Sequence, residues 1–215
     1  MQARLLVALF SSSLHYWFRV LWCPSICRGA SLPPSHPEFI HINCLEFVVA
    51  LLQFAAAVVR CDSSSLPITI SNVFPDGLPA FPVLQNRTDN TSTEAWYNSN
   101  RTKSVLARDL VFLYGQLLRR TALVPQSEWI AGDKNVVPDV ISRPNLDLTS
   151  SALLAQTYQN FPFLSTYDFF LPSPELCSVI RLSLCSKRSL VPPQLPKNLG
   201  RFCPAESITS SSFTI

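Results

Sequence analysis

The stretch from Leu45 to Val59 is apolar on nearly every side. Only Glu46 and Gln53 interrupt it, and it contains no glycine or proline. Such a segment predicts a helix with no polar face to offer water, so the rest of the fold has to wrap around it. Two details set its limits. Asn43, three residues before Glu46, forms a plausible capping pair at the start, and Arg60 closes the end. The uninterrupted apolar run falls short of the ~20 residues that span a bilayer, so the sequence predicts no membrane-crossing helix.

Around this helix the pattern alternates. Leu66–Ile70 and Phe81–Thr88 read as short strands separated by a Pro-Asp-Gly turn at 75–77. Thr91-Ser-Thr-Glu94 predicts the start of a short helix through Trp96. From Thr102 to Arg120, Leu106, Leu110, Leu113, Tyr114 and Leu117 recur at helical spacing, with Arg119 and Arg120 suited to the negative end of the helix. Glu128–Ala131 reads as a strand and Gly132–Asn135 as a turn. Val136–Ser142 predicts a last helix with Pro138 in its first turn and Pro144 beyond it. The expected fold class is α/β.

Composition narrows the function classes. A net charge of +3 is too small to signal a nucleic-acid-binding arm by itself. The 7 cysteines follow neither a paired framework nor a CxxC zinc pattern, which predicts reduced thiols in a cytoplasmic or nuclear protein. With 18 prolines and only 5 glycines there is no glycine-rich phosphate loop. No Ser/His/Asp constellation emerges, and His15, His36 and His41 are too scattered for a metal cluster. Residues 1–37 show no period and read as an unrelated or disordered leader. Residues 145–215, rich in proline and serine, read as a connector and tail. Met1–Phe10 faintly suggests a secretory signal, and sequons at Asn86, Asn90 and Asn100 would suit a glycoprotein, but the apolar run is short and no cleavage site follows.

Four segments, in order, carry a stronger message: His-Ile-Asn-Cys-Leu-Glu-Phe (41–47), Arg-Thr-Asp-Asn-Thr-Ser (87–92), Lys-Ser (103–104) and Ile-Ala-Gly-Asp-Lys-Asn-Val-Val-Pro-Asp-Val-Ile-Ser-Arg-Pro (130–144). Together they resemble the ribonuclease H region of retrotransposon reverse transcriptase polyproteins of the gypsy-like or tyrosine-recombinase type. Phe-Phe-Leu-Pro-Ser-Pro-Glu-Leu (169–176) resembles the connector that follows it. The resemblance implies an incomplete ribonuclease H-like mixed sheet flanked by helices over 38–144. It also implies RNA–DNA hybrids as substrate, with the polymerase and the integrase or recombinase of the same polyprotein as neighbours, and no membrane partner.

The same resemblance implies that Glu46, Asp89 and Asp139 are metal ligands and catalytic residues. Close carboxylates repel, and two Mg²⁺ ions about 4 Å apart would relieve that conflict, one activating water and the other stabilising the departing oxygen. Asn90 would position nucleic acid or the Asp89 loop, and Lys103, Arg108 and Lys134 would meet phosphates. Plainer readings stand beside these. Glu46 also reads as the capping partner of Asn43, Asp89 as a strand terminator and Asp139 as a first-turn acid favoured by the helix dipole. One departure weighs heavily. The family places a further aspartate on its first strand, and residues 1–40 contain none. Loss of a metal ligand removes most activity, so the chain is expected to be an inactive fragment, with a catalytically dead nucleic-acid-binding module as the alternative.

Overall fold

A computed structural model describes residues 6–11, 14–63, 83–142, 150–185, 191–204 and 213–215. In chain order the described elements are β1 (Leu6–Ser11), β2 (Tyr16–Leu21), α1 (Pro24–Ala30), α2 (Ile42–Ser63), β3 (Val83–Thr88), α3 (Thr91–Ser99), α4 (Arg108–Leu118), β4 (Val124–Trp129) and α5 (Val136–Ser142). After these come α6 (Ser150–Asn160), β5 (Asp168–Pro172), α7 (Pro174–Cys185), β6 (Gly200–Cys203) and β7 (Phe213–Thr214). The fold is mixed α/β, as expected. The expected strand at 66–70, the turn at 75–77 and Pro144 lie outside the described residues.

Helix α2 is the centre. Leu45, Phe47, Val48, Leu51, Leu52, Phe54 and Ala55–Ala57 are all buried, and it packs against both α3 and α4 on one side and strands on the other. Ile42–Asp62 is long and apolar enough to qualify as a membrane span, and most of it is buried inside the fold. Phe47 and Phe54, two turns apart, meet an aromatic group beneath α3 and α4. Phe54 lies 5.5 Å from Tyr114, and Tyr97 stacks on Tyr114 at 4.9 Å. Edge-to-face and offset pairs of this kind add about 0.5–1.5 kcal/mol each to the burial of the rings.

The start of α2 differs from expectation. The Asn43 backbone N–H donates to His41 Nδ1 at 3.1 Å, so His41 takes the capping role. The Asn43 side chain is released to bond elsewhere.

Strands β3 and β4 form a parallel pair, in register from Val83–Val124 to Thr88–Trp129. The strand expected at 128–131 therefore starts earlier, at Val124, and includes Pro125. A proline without a donor is tolerated because, among the described residues, β4 borders β3 alone. The turn expected at 132–135 is a 3₁₀ turn over Gly132–Lys134. Helix α4 is shorter than its periodicity suggested. Thr102 Oγ1 accepts from the Ser104 N–H, Ser104 O accepts from the Ala107 N–H, and this looped backbone defers the helix to Arg108.

The larger corrections lie at the two ends of the chain. Residues 6–11 and 14–37, expected to lack order, carry strands and a helix that belong to the fold. Strands β1 and β2 form an antiparallel hairpin, β2 runs parallel to β5, and β5 is antiparallel to β6. Tyr16, Trp17, Phe18 and Val20 are fully buried, and Trp17 meets Phe169 edge-to-face at 4.9 Å. The Pro-rich segment is also part of the fold. Gln116 Nε2 donates to Pro193 O at 2.7 Å, and Arg120 donates to Leu195 O and Pro196 O. Those carbonyls, together with the end of α4, are what Arg120 serves. No disulfide joins any of the 7 cysteines.

Candidate carboxylate site and nucleic-acid interface

The register of β3 and β4 places Asp89 at the end of the parallel pair, beside the start of the 130–135 turn. The Ile130 N–H donates to Thr88 O at 2.9 Å, and Trp129 Nε1 donates to the Asp89 backbone carbonyl at 3.1 Å. Gly132 lies directly against this acid. A Cβ there would sit 3.4 Å from Asp89 Oδ2.

Glu46 reaches the same corner from the first turn of α2. It is half-buried, and its Oε2 is buried with no hydrogen-bond partner among the described residues. Burial pushes its carboxyl above the ordinary value, a hydrogen bond from the Asn90 side chain opposes that shift, and the neighbouring charge of Asp89 adds to it.

Asn90 does structural work. Its Oδ1 accepts the Thr93 N–H at 2.9 Å as the N-cap of α3, and its Nδ2 donates to Asn43 Oδ1 at 3.0 Å. Asn43 Nδ2 in turn donates to Ser92 Oγ at 2.8 Å. This chain of amides pins the start of α2 to the start of α3, which sets Glu46 within electrostatic reach of Asp89. The arrangement gives Asn90 a positioning role.

Asp139 sits half-buried in the first turn of α5, its N–H donating to Asn135 O at 3.1 Å. Helix α5 packs along β1. Among the described residues, no group of three or more His, Cys, Asp or Glu side chains is gathered closely enough to hold a metal ion. Glu46 thus lies within electrostatic reach of Asp89, and Asp139 stands at the start of α5, beside β1.

The expected phosphate contacts divide in the same way. Lys134 is exposed in the 3₁₀ turn near Asp89. Lys103 and Arg108 lie elsewhere, on a cleft of about 810 Å³ between the end of α3, the 100–104 loop and α4. Sequence reasoning missed two further cations on that cleft, Arg101 and Arg119. The spacing of Arg108 and Arg119 on one helix face was the available signal.

The sequons fare differently from one another. Asn86 is 2% exposed, and its amide donates to Ser127 Oγ at 2.9 Å. A sugar could be carried there only by opening β3. Asn90 is occupied as described, and Asn100 is exposed at the end of α3. Comparison with protein-family models, with curated proteins and with solved structures finds no match.

Proposed function

We propose that the chain derives from the ribonuclease H region of a retroelement polyprotein and persists as a nucleic-acid-binding module without hydrolytic activity, working in the cytoplasm or nucleus. The observation that carries this reading is the order α2, β3, α3, α4, β4, α5, which sets Glu46 within electrostatic reach of Asp89 at the end of a parallel strand pair. The motifs that resemble the family fall on those elements in that order.

A divalent cation in such a centre would supply Lewis-acid activation of water. The residues present do not fit a two-ion centre. Among the described residues no group of three or more His, Cys, Asp or Glu side chains is gathered closely enough to hold a metal ion, and residues 1–40 carry no aspartate for the first strand. The hydrolytic step is therefore absent from the proposed function.

The test uses the full chain with a labelled RNA–DNA hybrid in Mg²⁺ and, separately, Mn²⁺. The expected outcome is no RNA cleavage above the protein-free control, with binding that weakens as salt rises. Cleavage that is abolished by Glu46→Gln would overturn the loss of activity. Failure to bind hybrid at low salt would overturn the binding reading.

A further inference from the structure

The basic cleft beside α4 has a layout of its own, independent of the carboxylate pair. On α4, Arg108, Phe112, Gly115 and Arg119 fall four, three and four residues apart and share one face. The opposite face, with Leu110, Leu113, Tyr114 and Leu117, is buried in the core. The two arginines thus mark the ends of a trough about 16 Å long, from the ~1.5 Å rise per residue. Lys103 and Arg101 bring positive charge from the loop across it.

Among the described residues, no acidic side chain lines this cleft. Arg108 is partly balanced by Asp109, its neighbour on the helix, at 2.9 Å. Arg101, Lys103 and Arg119 form no ion pair among the described residues.

The middle of the trough is apolar. Phe112 is 40% exposed, Trp96 forms part of the wall, and Val111 lies beside them. Trp96 is held by an edge-to-face contact with Phe47 at 5.6 Å. The floor at Gly115 is kept low by necessity. A Cβ there would stand 3.0 Å from the Asn100 amide, and Asn100 adopts a left-handed backbone (φ 49°) that turns the chain into the 101–104 loop.

Charge at both ends and an aromatic surface between them match one chemistry: a short single-stranded run of about two or three nucleotides, its outer phosphates at the two ends and an unpaired base between them. A free nucleoside triphosphate carries its phosphates at one end only and would leave one arginine unused. A paired duplex hides its base faces and would leave Phe112 unused. We infer that this cleft binds an internal segment of single-stranded nucleic acid, with phosphates at Arg108 and Arg119 and an unpaired base against Phe112. Lys103 and Arg101 hold the backbone from the opposite rim. Single-strand sites elsewhere combine the same two elements, a cationic track and an aromatic stacking surface.

The test is fluorescence anisotropy of the full chain with a labelled eight-nucleotide oligothymidylate, from low to moderate salt. Lys103→Gln combined with Arg119→Gln should weaken binding at least about tenfold and make the salt slope shallower by about 1.4, the value for two lost phosphate contacts on a single strand. Phe112→Ala should weaken binding about 5- to 150-fold, and an abasic oligonucleotide of the same length should be insensitive to that change. Melting curves that match the parent chain establish that these surface variants are folded.

Three results would overturn the inference: no oligothymidylate binding at low salt, displacement by equimolar ATP, or a hybrid of equal length that binds more tightly and ignores Phe112→Ala. Glu46→Gln leaves the cleft untouched and should leave single-strand binding unchanged. Failure of the hybrid assay and failure of this one are therefore separable.

Discussion

The pairing of Trp17 with Phe169 joins strands about 150 residues apart in sequence and can be measured directly. Both rings are essentially buried, and Trp17 has a second edge contact with Tyr158 at 6.0 Å. Phe169→Ala removes a ring from a site 2% exposed, a change that costs about 3–5 kcal/mol. Trp17→Ala removes a larger ring but also a buried indole N–H that has no partner among the described residues. Eliminating that orphaned donor returns about 1 kcal/mol, which places Trp17→Ala near ~3 kcal/mol. A chain of this size has a urea slope near the upper end of the usual range, about 3 kcal/mol per molar. Each variant should then lower the urea midpoint by about 1–1.5 M.

The double variant should fall short of additivity by about 0.5–1.5 kcal/mol, the coupling of one edge-to-face pair. Far-ultraviolet circular dichroism in urea reads all three. Val105→Ala, at a site 66% exposed, serves as the control with a shift below ~0.2 M. A Trp17→Ala midpoint indistinguishable from that control would mean residues 14–22 are not integral to the core, and the reasoning fails.

Other expectations follow from the same structure. The Glu46 carboxyl has its folded pKa raised above 4.5, so the stability it contributes is full below that value and is lost as pH rises through the folded pKa. Glu46→Gln should therefore raise the melting temperature at pH 7 and leave it nearly unchanged at pH 4, and an equal decrease at both pH values would contradict this. Asn90→Ala should cost about 1–2 kcal/mol through the lost cap of α3 and the unpaired Asn43 oxygen, read as a urea-midpoint shift. Burial raises the phenols of Tyr97 and Tyr114 well above 10.0. Stability should hold below pH 10 and decline above it as the unfolded chain ionises, and a flat profile to pH 12 would count against that burial. Asp168→Asn breaks a partly exposed pair with Arg60 (2.9 Å) and should cost no more than ~1 kcal/mol in a melting experiment.

The helix and strand pattern of the middle of the chain was legible because its signals are local. Helix α2 had to be buried whatever surrounded it, since no side of it could face water. Strand β3 shows its alternation directly, with Leu84, Asn86 and Thr88 inward and Val83, Gln85 and Arg87 outward. The ends of the chain gave no such signal. Strand β2 is covered on both faces, so Tyr16–Val20 carries no alternation to read, and its partner β5 is distant in sequence. Glu46 and Asp89 stood out by motif, but the amide chain through Asn43 and Asn90 that ties their helix starts together exists only once α2 and α3 have packed. The basic cleft was half visible for the same reason. Lys103 and Arg108 stood within recognisable local features, whereas Arg101 and Arg119 gained meaning when a loop folded back across one helix face. Sequence alone determined which segments had to be covered. Tertiary packing decided what covers them and which charges face a common space, because those outcomes depend on contacts between residues that share no local pattern.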